Sequence, residues 1–180
     1  MRNLVLISLA VGILLLAAGC AQDEKAPKRI ITAQELEELR SRKTDFQIAQ
    51  EDDVMEAVFR WQFDHNASGA QKNAAAYFLR VGKEGKDPSD AFMKRFEGHK
   101  PPVKKASQSR TDKISGVVDK ETGKNGLVFR ITRIIWISDT EALVEGGYYE
   151  AGLSASGNEY EVVKEGDKWT IKKDTMKWIS

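Results

Sequence analysis

The sequence predicts an α+β fold, in which N-terminal helices pack on a curved antiparallel sheet behind an apolar leading helix. Three observations predict it. An apolar run fills residues 4–18, broken only by Ser8 and Gly12. Helical spacing of apolar residues is confined to the first half of the remaining chain. Runs of β-branched and aromatic residues, punctuated by turn residues, fill the last third. A length of 180 residues suits one globular domain, placed at 45–180, plus an appendage.

The leading run comes first. Arg2 supplies a basic start, the apolar run follows, and small residues precede Cys20. This is the three-part layout of a secretory signal peptide, so residues 1–19 read as a signal-peptide helix. Fifteen helical residues span roughly 22 Å, short of the ~30 Å hydrocarbon core of a bilayer. The end of the run, Leu16-Ala17-Ala18-Gly19-Cys20, resembles the lipobox of bacterial lipoproteins. That resemblance implies transfer of a diacylglyceryl group to the Cys20 thiol and cleavage between Gly19 and Cys20. It departs from the pattern at Ala17, where Leu is commoner. The implied partner is membrane lipid, held through acylated Cys20, and the implied location is the cell envelope. Ala21, rather than Asp, follows the Cys, which implies the periplasmic face of the outer membrane in a host with two membranes. Each buried methylene contributes about 0.8 kcal/mol, so two or three acyl chains anchor the protein permanently.

Residues 20–44 read as the lipidated Cys, a polar tether and a short helix. The tether, residues 21–29, contains Pro27 and reaches about 30 Å when extended. Thr32-Ala33-Gln34-Glu35 fits a capping box, and Leu36 and Leu39 give the helix over 33–42 a thin apolar stripe. Residues 49–65 predict the principal helix. Glu51, Asp52 and Asp53 suit the positive end of its dipole, and Val54, Val58 and Trp61 recur at helical spacing. Asn66-Ala67-Ser68-Gly69 then punctuates. The Ala-rich stretch 70–76 is compatible with more helix, and 77–81 with either helix or strand. Asp87-Pro88-Ser89-Asp90 predicts a helix over 88–97, with Asp87 as cap, Pro88 in the first turn and Gly98 as the stop.

From His99 onward the chain is basic, and Pro101-Pro102 predicts a loop or an edge strand. Residues 119–126 carry turn chemistry. An antiparallel meander follows, with strands over 127–137, 142–151 and 160–164, then a final strand or pair over 168–173 and 175–179. Residues 139–141, 152–158 and 165–167 are the turns. Gly146 and Gly147 predict a bulge or sharp bend in the second strand.

The ending Glu159-Tyr160-Glu161-Val162-Val163-Lys164, then Gly166-Asp167-Lys168-Trp169-Thr170-Ile171, resembles the closing strands of NTF2-like and cystatin-like domains. The layout agrees over about residues 45–180 and the motif over about 140–180. The resemblance implies a sheet wrapped around a helix into a cone with an internal pocket, in a family that hosts both enzymes and inert binding domains.

Composition excludes several functions. One Cys excludes an internal disulfide framework and a Cys-based zinc site. A net charge of +1 excludes the strongly basic signature of a nucleic-acid binder. No Gly-x-Ser-x-Gly occurs, since Gly152 and Gly157 stand one residue too far apart, and no Ser is followed three positions later by Lys. Glu121-Thr122-Gly123-Lys124-Asn125 echoes a phosphate-binding loop but has Val118 and Asn125 where Gly and Ser or Thr are required. His65 and His99 fall in different elements, so no metal or cofactor is assigned. Lys100, Lys104, Lys105, Arg110 and Lys113 form a basic stretch open to an anionic surface or to plain solvation. Tyr149 and Trp169 join the aromatics of the predicted sheet. The candidate pocket draws on Trp61, His65, Phe92, Phe96, Trp136, Tyr148 and Trp178. Three functions fit. The preferred one is a membrane-tethered domain that binds a small ligand or an envelope protein without catalysis. The others are an NTF2-like enzyme with a polar pocket near His65, and a structural or assembly lipoprotein.

Overall fold

The principal helix, α1 (Asp45–Asp64), begins four residues earlier than its charge pattern suggests. The computed structural model describes Thr32, Gln34 and residues 43–180. The signal-peptide helix, Cys20, the tether and all but Gln34 of the predicted 33–42 helix lie outside the described residues. Thr44 explains the early start of α1. Its hydroxyl accepts from the Gln47 N–H at 3.1 Å, and the Gln47 side chain accepts from the Thr44 N–H at 3.1 Å. This reciprocal cap outweighs an acidic cluster as a start signal, because it satisfies two orphan donors directly. Glu51 and Asp53, displaced from the first turn, instead hold Lys43 at 2.6 Å and Arg95 at 2.7 Å.

One face of α1 is apolar, as its spacing predicts. Val54, Val58, Phe59 and Phe63 are buried, with Met55 and Trp61 packed beside them. Asn66 closes the helix: its Nδ2 donates to the Gln62 carbonyl at 2.8 Å, and its Oδ1 accepts from the Ser68 N–H at 3.0 Å. The Ala-rich stretch continues only as a 3-10 turn, Gln71–Asn73.

The ambiguous segment that follows is a strand, β1 (Tyr77–Val81). It lies between β2 (Val103–Lys105) and β5 (Leu127–Ser138), parallel to both. Tyr77, Phe78 and Leu79 are buried on both faces there, which a solvated helix end does not achieve. The short helix α2 (Asp90–Met93) is capped by Ser89, whose Oγ accepts from the Phe92 N–H at 3.1 Å, and it tightens into a 3-10 turn at Lys94–Phe96. This corrects the expected start: the Asp87 carboxylate is committed to the Ser107 N–H at 2.9 Å and does not cap. The predicted loop or edge strand is edge strand β2. It is followed by an unforeseen antiparallel hairpin, β3 (Ser109–Asp112) with β4 (Gly116–Asp119).

The meander is present. β5, β6 (Glu141–Ala151), β7 (Ser154–Glu165) and β8 (Lys168–Ile179) pair antiparallel in sequence. Two expectations within it are corrected. The turn predicted over 152–158 is only Gly152 and Leu153, and Ser154 to Asn158 are strand because each faces β6 or β8 across the sheet. The final element is one strand rather than two. The sheet order is β2-β1-β5-β6-β7-β8, so the six-stranded sheet is mostly antiparallel with two parallel strands at one edge. The predicted all-antiparallel sheet is corrected at that edge: a chain returning through α2 and the hairpin is a crossover, and crossovers join parallel strands.

The expected irregularity near Gly146 lies one strand away. Thr132 of β5 is the extra residue, between Ile131 paired to Gly146 and Arg133 paired to Glu145. The core fills the space between α1, α2 and the inner sheet face. Each large apolar side chain fully buried there stabilises the fold by roughly 1.5–3 kcal/mol. A smaller apolar cluster, Ala76, Phe78, Val117 and Val128, lies on the opposite face beneath the hairpin.

Candidate functional site

The last turn of α1 carries Trp61 and His65 on one side, as spacing of four requires. Their rings stack at 3.8 Å and 8°. His65 Nδ1 lies 3.1 Å from the Trp61 carbonyl, and its ring is exposed. Trp61 Nε1 donates to Asp174 Oδ2 at 2.9 Å. Asp174 Oδ1 accepts from Asn158 Nδ2 at 2.7 Å, and Asn158 Oδ1 accepts from Ser156 Oγ at 2.8 Å. This chain of bonds ties α1 to β8 and β7. Beside it, Gln62 Nε2 donates to the Arg130 carbonyl and to the Tyr160 hydroxyl, both at 3.2 Å. Gln62 Oε1 is buried without a partner. Burial pushes the Tyr160 hydroxyl well above the usual phenol range; the Gln62 bond lowers it and the Asp174 charge raises it further.

Gln62, His65, Tyr148, Ser156, Asn158 and Tyr160 line a cleft of about 20 Å³. That volume accommodates one water and no organic ligand. Asp174 already serves two donors, and His65 meets a carbonyl and an indole rather than a carboxylate. The cluster therefore orients α1 on the sheet. Among the described residues, no group of three His, Cys, Asp or Glu side chains is placed to hold a metal.

The structure separates the seven predicted pocket residues. His65 and Tyr148 share the cleft, and Trp61 stacks against His65. Phe92 and Phe96 pack in the core, Phe92 tilted against Phe59 at 6.1 Å and Phe96 edge-on to it at 6.4 Å. Trp136, 1% exposed, meets Trp169 edge-on at 5.5 Å. Trp178, 46% exposed, stands on the outer face of the sheet.

That outer face carries an arrangement the sequence reading did not find. Alternation along β1 and β5 turns Tyr77, Leu79, Leu127 and Phe129 inward, and Phe78, Arg80, Val128 and Arg130 outward. The parallel register places Arg80 beside Arg130. Arg130 is paired in turn with Gly147, the β6–β7 register places Gly157 beyond it, and Trp178 pairs with Gly157. The row across five strands is thus Arg80, Arg130, Gly147, Gly157, Trp178. The signal lay in two matching pentads, Tyr77-Phe78-Leu79-Arg80-Val81 and Leu127-Val128-Phe129-Arg130-Ile131. Only their side-by-side pairing gives them meaning.

The basic stretch behaves oppositely. Lys104 holds Asp119 at 2.9 Å and Glu121 at 2.7 Å, Lys105 holds Asp90 at 2.6 Å, and Arg110 meets Asp112 at 3.3 Å. Burial raises the Asp119 carboxyl, but Lys104 and the Glu121 N–H outweigh it and hold the group below the usual carboxylate range. No family model matches this chain, and no curated protein or solved structure matches it either.

Proposed function

We propose that this protein is a lipid-anchored component of the cell envelope whose folded domain binds its partner at the surface, without catalysis. The observation that carries the anchor is the lone Cys20 directly after Ala17-Ala18-Gly19 at the end of an apolar run. The polar residues 21–29 then supply a spacer between the bilayer and the domain. Acylated Cys20 engages membrane lipid, on the periplasmic face of the outer membrane where the host has two membranes. A small ligand or an envelope protein is the second partner.

The NTF2-like or cystatin-like reading is supported by one long helix packed on a four-stranded meander. In this chain the aromatics Phe92, Phe96 and Trp136 are buried in the core between the helices and the sheet. That favours surface binding over an internal carrier, and it favours an orienting role for His65 over an acid–base one. Among the described residues, no helix is long and apolar enough to cross a membrane. The test is Cys20→Ser in the host. The wild-type chain incorporates a palmitate analogue and sediments with membranes, and the variant does neither. A variant that still labels and still sediments overturns the proposal.

A further inference from the structure

We propose that Arg80 and Arg130 form a binding site for a phosphate group on the outer face of the sheet, with Trp178 as its wall. This deepens the surface-binding reading, on which it rests, by naming the chemistry of the partner. Neighbouring strands stand about 4.8 Å apart, so register-paired side chains on one face are in close reach. Like charges directly side by side on a sheet destabilise it. Among the described residues no carboxylate answers this pair: Arg80 packs along Gly85, and Arg130 meets the Trp178 ring. Neither arginine side chain has a hydrogen bond or ion pair among the described residues.

Three carboxylates of these strands and of the turn after β1 are engaged elsewhere. Glu145 accepts both arms of Arg133, Glu159 holds Lys177 at 3.0 Å, and Glu84 holds Lys86 at 2.8 Å. Arg130 Nε is buried with no acceptor. Burial, and then the charge of Arg80, depress the Arg130 guanidinium below its ordinary value. A bound anion relieves the like-charge pairing and the depression of the Arg130 guanidinium together.

The floor of the site is built by close approach. A Cβ at Gly147 would lie 2.0 Å from the Ser156 carbonyl oxygen, and one at Gly157 would lie 2.2 Å from Trp178 Nε1. With both side chains absent, the indole lies against Gly157, and the Arg130 guanidinium stands 5.5 Å from its ring centroid. This cation–π contact orients the guanidinium. One position earlier on the same face, Phe78 and Val128 lie beneath Val117 of the hairpin, so the arginines come just beyond the roofed part.

Charge selects the ligand. Two guanidinium groups match the two charges of a phosphate monoester, and their forks present paired N–H donors to its oxygens. A carboxylate would leave one positive charge unanswered. The phosphate can sit on a soluble molecule or on a lipid headgroup, and the chemistry is the same.

The test uses the full chain as its host produces it, in neutral detergent, with 5-fluorotryptophan to report on Trp178. Glycerol 3-phosphate is titrated in solution. Nanodiscs of phosphatidylcholine with and without phosphatidic acid supply the headgroup arm. We expect saturable binding that shifts the Trp178 resonance, weakened at least about tenfold by Arg80→Gln and by Arg130→Gln. Arg80→Lys keeps the charge and the fold but loses the fork, and weakens binding with Tm unchanged. A response confined to phosphatidic acid, and lost in Arg80→Gln, assigns the phosphate to lipid. The proposal is overturned if neither probe moves the Trp178 resonance, if both glutamine variants bind like wild type, or if citrate binds as tightly as glycerol 3-phosphate. Failure here leaves the anchor untouched, because that reading is tested separately at Cys20.

Discussion

The two faces of the six-stranded sheet are made by alternate residues of the same strands, yet they end in opposite states. The inner face lies under α1 and α2 and is filled by Phe59, Phe63, Phe92, Phe96 and Trp136. Most polar groups at its rim, from Trp61 through Asp174 and Asn158 to Ser156, find partners within the protein. Among the described residues, the outer face is roofed at one end by the β3–β4 hairpin. Beyond the roof it carries two adjacent arginines, and a half-exposed indole laid over Gly157. Around Gln62 and Tyr160 the packed core leaves a cleft of only about 20 Å³. The unpaired guanidinium groups lie on the face that packing did not finish.

The strongest way to break this contrast is to truncate an aromatic on each face. Trp136→Ala should lower the unfolding free energy by about 3–5 kcal/mol in a denaturant titration, because the site is enclosed on all sides. Gly147→Ala should cost about 1–3 kcal/mol, since its new methyl meets a strand carbonyl that cannot move freely. A neutral result there would remove the reason for glycine at that position. Trp178→Ala, at the other extreme, should change stability by only about 0.5 kcal/mol. Equal losses at Trp136 and Trp178 would show that the outer face is as much core as the inner one.

A third comparison lies between the cations. Lys104→Met should destabilise by about 1–2 kcal/mol at neutral pH, because it strips a partner from Asp119, which is 3% exposed. Asp119 is held below its unfolded value of about 3.9, so its contribution is complete above that pH. It fades as pH falls through the lower folded value, and Lys104→Met should shift that acid loss to higher pH. Arg80→Gln should leave the acid limb where it is, since no described carboxylate depends on Arg80. Urea midpoints between pH 2 and pH 7 separate the two variants.

Much of the architecture is legible in one dimension. The periodicity of Val54, Val58 and Trp61 identifies α1, and turn chemistry at Asp139-Thr140 and Gly166-Asp167 identifies two of the meander's hairpins. Boundaries are less legible where two local signals compete. Thr44 with Gln47 prevails over the acidic cluster at 51–53, and Ser89 prevails over Asp87, because a formed hydrogen bond to a helix N–H outweighs a general charge preference. The Gly and Ser residues of 152–158 read as a turn, but Gly157 lies within a strand beneath Trp178, where no larger residue fits.

By itself the sequence determined the apolar leader ending at Cys20, the principal helix and the four antiparallel strands, because periodicity and turn residues act between near neighbours. Only the tertiary structure decided that β1 and β5 run parallel and in register, that a hairpin roofs one end of the outer face, and that Arg80 stands beside Arg130. Those outcomes rest on pairings between residues about fifty positions apart, and no local signal sets the register of such a pair. It is set by the burial of Tyr77, Leu79, Leu127 and Phe129 against a helix on the other side of the sheet.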